Sequence, residues 1–132
     1  MAYEEAVKRV AKLLDEAKIP YAITGALAVG YYGVPRTTYD VDVIVSVNKS
    51  QNKKLMDQAR KSGFNFHELE VLKLAEIGNV VMMWAPEGYK IDFWLAKTNR
   101  DKAAITRRRK ATVFDRSVWM ISPEDLIVSK LL

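Results

Sequence analysis

The sequence predicts an α/β fold in which a mixed β-sheet is flanked by helices, and three observations predict it. Segments with apolar residues at helical spacing alternate along the chain with segments of strict apolar/polar alternation. Proline and glycine stand at most of the junctions between them. Two of the apolar runs that read as strands carry aspartate, at alternating positions 40 and 42 in 39–46 and at position 92 in 90–96. A chain of 132 residues, 49% hydrophobic and 28% charged, is expected to form a single domain over residues 1–132.

Tyr3 to Lys18 reads as an amphipathic helix. Val7, Val10 and Leu14 form its stripe, widened by Ala6, Leu13 and Ala17, and Pro20 is the expected stop. Tyr21 to Thr24 is a short strand, and Gly25 opens a short helix to about Tyr32. Gly33-Val-Pro35 ends that helix, because proline disfavours helical backbone in the residue before it. Tyr39 to Ser46 is a strand. Asn48 and Ser50 are candidate caps of a helix over 51–61, with Leu55, Met56 and Ala59 inward and Gly63 at its C-terminal end. Phe64 to Glu68 reads as extended, and 69–77 is equally compatible with helix and loop. Val80 to Ala85 and Lys90 to Ala96 form a hairpin around Pro86-Glu-Gly. A helix over 99–110 and short strands near 112–114 and 118–121 follow. Ser122-Pro-Glu-Asp125 starts a last helix, with serine as cap, proline in the first turn and acids at the positive dipole end.

Asp40-Val-Asp42 is the most informative feature. On a strand both carboxylates take one face, about 7 Å apart along the chain, while Val41, Val43 and Val45 take the other. Like-charged acids in an apolar strand are costly to desolvate, and the flanking valines argue that the pair is embedded within its strand. A divalent cation removes that cost. Asp92, between Ile91 and Phe93, faces outward with Lys90 and Trp94 if Ile91, Phe93 and Leu95 face the core. Beside the first strand it would complete a three-carboxylate nest suited to two metal ions roughly 4 Å apart. Hard oxygen ligands select Mg2+ or Mn2+, and the chain has no cysteine and one histidine. Asp40 and Asp42 could instead be two ordinary aspartates at a solvated strand end. Gly25 could equally serve a plain strand-to-helix turn, a role compatible with anion binding at the helix N-terminus. Arg36 could meet a phosphate or pair with the acids.

These motifs resemble the DNA polymerase β-type nucleotidyltransferase superfamily. Its signature is a hydrophobic residue and Gly followed by Gly or Ser, a spacer, and then Asp-h-Asp/Glu-h, where h is hydrophobic. Here Ile23-Thr24-Gly25-Ala26 opens the pattern, residues 27–39 are the spacer, and Asp40-Val41-Asp42-Val43 closes it. The segment from Pro35 to Asp42 and the ending from Ile121 to Lys130 are similar to the small prokaryotic branch of AbiEii-like and minimal nucleotidyltransferases. The resemblance implies a nucleotidyltransferase-like fold, with Asp40, Asp42 and Asp92 as metal-binding and catalytic residues. It further implies that Gly25, Ala26 and Arg36 meet the phosphates of an NTP. Ala26 departs from the pattern: alanine keeps the backbone approach and lacks the serine hydroxyl.

Composition bounds the rest. No segment reaches about 18 uninterrupted apolar residues and Met-Ala-Tyr-Glu-Glu is no signal peptide, so no membrane partner and a cytoplasmic location are expected. The absence of cysteine excludes disulfides and zinc ribbons. A net charge of +5 suits a polyanionic partner such as NTP or RNA and equally suits a protein that binds neither. Arg107-Arg-Arg-Lys110 is a possible phosphate contact or a solvated helix face. The three tryptophans are expected in the core. Three functions follow as expectations. The first is a Mg2+- or Mn2+-dependent nucleotidyltransferase acting on a hydroxyl of RNA (tRNA) or protein, possible in a toxin–antitoxin or defence system through the resemblance. The second is a non-catalytic nucleotide-binding, antitoxin-like module that pairs with a cognate protein. The third is a metal-dependent glycosyltransferase, where Asp-x-Asp also grips a diphosphate.

Overall fold

Six strands make one mixed sheet in the order β3-β4-β2-β1-β6-β5. The computed structural model describes residues 2–33 and 40–131. The strands are β1 (Tyr21–Thr24), β2 (Asp40–Val45), β3 (Val80–Trp84), β4 (Lys90–Leu95), β5 (Arg109–Val113) and β6 (Arg116–Met120). The helices are α1 (Ala2–Glu16), α2 (Gly25–Tyr32), α3 (Lys49–Lys61), α4 (Glu68–Ile77), α5 (Asn99–Thr106) and α6 (Pro123–Leu131). β2 lies parallel to β4 and antiparallel to β1, β1 lies parallel to β6, and two antiparallel hairpins, β3–β4 and β5–β6, close the edges. A mixed sheet flanked by helices is the expected α/β class.

The core follows the two periodicities. Ala6, Val7, Val10, Leu13 and Leu14 of α1 are buried, as are Val41, Val43 and Val45 of β2 and Ile91, Phe93 and Leu95 of β4. α1 ends one turn before Pro20. Lys18 takes a left-handed conformation, with φ of 56°, and the Ile19 amide donates to the Leu14 carbonyl, which closes the last turn. α3 carries the capping box that Asn48 announces: its Oδ1 accepts from the Gln51 amide at 2.9 Å, and Gln51 Oε1 accepts from the Asn48 amide at 2.9 Å. The β3–β4 turn is held to α1 by Arg9, whose guanidinium reaches Glu87 at 2.7 Å.

One segment left open between helix and loop is decided, and several expectations need correction. Residues 69–77 are helical, within α4, although Leu69 is 82% and Ile77 73% exposed and only Val71 is buried. Of the stretch expected to be extended, Asn65 alone bridges to Trp84, and Glu68 already belongs to α4. The helix expected over 99–110 stops at Thr106, so Arg107-Arg-Arg-Lys110 spans a helix end and the start of β5. Trp84 and Trp94 are substantially exposed, against the expected core placement. Tyr39, the expected first residue of this strand, lies outside the described residues; Asp40 is exposed, so the desolvation argument applies to Asp92 instead.

Candidate active site

The centre of the sheet brings the expected acids to one face. Thr24 of β1 pairs with Asp42 of β2, and Asp42 pairs with Asp92 of β4, so the three side chains form a row across adjacent strands. Asp40 lies two residues before Asp42 on the same face and opposite Lys90. Burial increases across this group: Asp40 is exposed, Asp42 half-buried and Asp92 buried.

Gly25, at the start of α2, is tied to this row. Its φ is +68°, a left-handed conformation, and a Cβ built there would lie 2.3 Å from Asp42 Oδ2. Glycine therefore lets the β1–α2 turn lie against the Asp42 carboxylate. Thr24, the N-cap of α2, makes no side-chain capping bond, and the first amides of a helix lack partners within it. Ala26 is half-buried in this first turn. Arg36 lies outside the described residues.

The acids have specific neighbours. Trp94 Nε1 donates to Asp42 Oδ1 at 3.0 Å. Lys90 Nζ stands 3.9 Å from Asp40 Oδ2 and 3.6 Å from Asp92 Oδ2. Asp92 Oδ1 is buried and has no hydrogen-bond partner among the described residues. Burial pushes the Asp92 carboxyl above its ordinary range; Lys90 opposes that shift, and Asp42 and Asp40 add to it. A cleft of about 360 Å³ runs beside Asp42, lined by Thr24, Gly25, Ile44, Asn79 and Trp94 among others. Trp94 and Lys90 were not expected as site residues. The signal for both was their shared face with Asp92 on a period-two strand.

The fit to a divalent ion has two sides. All-oxygen donors on one face, one of them a buried oxygen in want of a partner, suit Mg2+ or Mn2+. Among the described residues, however, no three acidic or imidazole side chains converge closely enough to hold an ion as they stand. The Arg107–Lys110 run is engaged elsewhere. Arg107 forks onto Asp125 at 2.6 and 3.0 Å, Arg109 lies 3.8 Å from Glu124, and Arg108 and Lys110 stack on Trp119. No helix among the described residues is long and apolar enough to cross a membrane.

No protein-family model matches the sequence, and neither does any curated protein. Solved structures do. One is a Thermotoga maritima protein taken to be a nucleotidyltransferase, 13% identical, with a TM-score of 0.67 over 98% of this chain and 83% of that one. A second is ANT(2″)-Ia in complex with adenylyl-2″-tobramycin, 15% identical, with a TM-score of 0.64 over 98% of this chain and 75% of that one. A third is the lincosamide antibiotic adenylyltransferase LnuA bound to lincomycin, also 15% identical, with a TM-score of 0.64 over 94% of this chain and 83% of that one. At such identities the likeness establishes architecture, and the architecture is the nucleotidyltransferase fold.

Proposed function

We propose that this chain is a metal-dependent nucleotidyltransferase that moves a nucleoside monophosphate from an NTP to a hydroxyl of RNA, tRNA included, or of protein. The observation that carries the reading is the in-register row of Thr24, Asp42 and Asp92, with the Gly25 turn seated against Asp42. That arrangement sets acidic oxygens beside a helix N-terminus, a pairing that suits a metal-bound polyphosphate.

In this reading Asp40, Asp42 and Asp92 hold Mg2+ or Mn2+. When bound, the ions supply charge neutralisation at the triphosphate and acidify the attacking hydroxyl. The Gly25 and Ala26 amides, with Arg36, take the phosphate oxygens. Asp92, the most buried of the three acids, takes the acceptor's proton as the new oxygen–phosphorus bond forms at the α-phosphate. The bond to the bridging oxygen breaks and pyrophosphate leaves. Trp94, by donating to Asp42 Oδ1, fixes which Asp42 oxygen faces the ligand. Rate enhancement then comes from positioning and charge, without a covalent enzyme intermediate.

The AbiEii-like string from Pro35 to Asp42 supports a toxin–antitoxin or defence setting in a cytoplasm. The antibiotic complexes of the two adenylyltransferases add small hydroxylated molecules to the acceptors worth assaying. A second reading, a non-catalytic nucleotide-binding partner of a cognate protein, is favoured by one observation: Lys90 already lies against two of the acids. Transfer of label from α-labelled NTPs to RNA, protein or small acceptors with Mg2+ decides between them. Wild type is expected to transfer and Asp42→Ala to lose at least about a hundredfold, as for removal of a charge-stabilising group. Nucleotide binding without transfer by wild type would establish the second reading.

A further inference from the structure

We propose that Lys90 is a built-in counterion of the carboxylate row and that a divalent ion binds by displacing it; this rests on the reading of Asp40, Asp42 and Asp92 as metal ligands. Lys90 reaches the acids by register. It sits opposite Asp40 and two residues before Asp92 on the same face, so its ammonium falls between them, at 3.9 Å and 3.6 Å. Those separations exceed the roughly 2.7–2.9 Å of a charge-assisted hydrogen bond, so the ammonium is held there chiefly by charge. The side chain is 33% exposed, and its flexible four-carbon stem can carry the charge to water.

The row needs such a partner when no metal is bound. Three carboxylates on one face repel one another, and Asp92, with one buried oxygen unpartnered, is the least solvated. Mg2+ needs short oxygen contacts of about 2.0–2.1 Å, and any divalent ion repels an ammonium a few ångströms away. Asp40 and Asp92 thus face the ammonium or the ion in turn. Asp42 stays oriented throughout by Trp94 and by the Gly25 turn.

The test is a Mn2+ titration of the full chain, with free aquo-ion followed by electron paramagnetic resonance. Wild type is compared with Lys90→Met, which keeps the stem and removes the charge; Lys90→Gln replaces it if the first variant does not fold. The variant is expected to bind Mn2+ about tenfold tighter or more, from loss of a like charge near the ion. The gain should vanish in Lys90→Met/Asp92→Asn. Equal or weaker Mn2+ binding by Lys90→Met overturns the proposal, as does a gain that persists in the double variant. Absence of saturable Mn2+ binding in both wild type and Lys90→Met overturns the metal reading itself.

Discussion

Asp92 is the residue at which stability and proposed function pull apart. Its carboxyl is raised above the ordinary range, chiefly by burial, so the fold holds its proton more tightly than the unfolded chain does. Stability therefore falls as pH rises from the usual value of 3.8 through the raised folded value, and the deficit is complete above it. In EDTA at neutral pH, Asp92→Asn is expected to melt above wild type, while transfer activity is lost. Below pH 3.8 the two should converge, since both then present a neutral group. A variant that melts below wild type at neutral pH would refute this. Asp125 is the opposite case: the Arg107 guanidinium holds its carboxyl low, so its contribution is present above the unfolded value and fades in acid. Gly25 is constrained twice, by a left-handed backbone and by Asp42 Oδ2. Gly25→Ala should cost about 1–2 kcal/mol in a denaturant melt from the backbone alone. It should also abolish transfer, because the new methyl displaces the Asp42 carboxylate.

At the scale of elements, Lys18 terminates α1 in a conformation that glycine adopts without penalty. Its side chain is exposed, so little packing is lost on truncation. A left-handed L-residue costs about 1–2 kcal/mol, and glycine's extra freedom in the unfolded chain returns about 0.5–1. Lys18→Gly is therefore expected to stabilise by about 0.5–1 kcal/mol in urea melts with activity unchanged. The elements also separate what sequence could disclose from what it could not. β2 was legible from its apolar run and the alternating Asp40 and Asp42, and β4 from an alternation that put Lys90, Asp92 and Trp94 together. The register of Asp42 against Asp92 was not legible, since strands 50 residues apart choose their pairing through the assembled sheet. α4 lacked a clean stripe because Leu69 and Ile77 face solvent. The end of α5 was misplaced for a related reason. Its basic tail favours helix, but Asp125 and β6 capture Arg107 and residues 109–113 from a distance.

For the molecule as a whole, the candidate site lies where the fold is most interdependent. β4, β2 and β1 are three of the four inner strands of the sheet, and α2, which packs on β1 and β2, begins at the site. A ligand that ties the acids of β2 and β4 to the start of α2 is therefore linked to global unfolding, not to the opening of one loop. At a hundredfold excess over its dissociation constant, such a ligand adds about 2.7 kcal/mol. For a chain of this size, that corresponds to a melting-temperature rise of about 5–10 °C. The expected pattern is specific. Mn2+ or Mg2+ with the preferred NTP raises the melting temperature by that amount, NaCl of equal ionic strength does not, and Asp42→Ala loses the response. The salt control matters because a chain of net charge +5 gains some stability from any screening anion. A rise of equal size in Asp42→Ala would move the nucleotide to another surface, and the basic residues around β5 would be the first place to look.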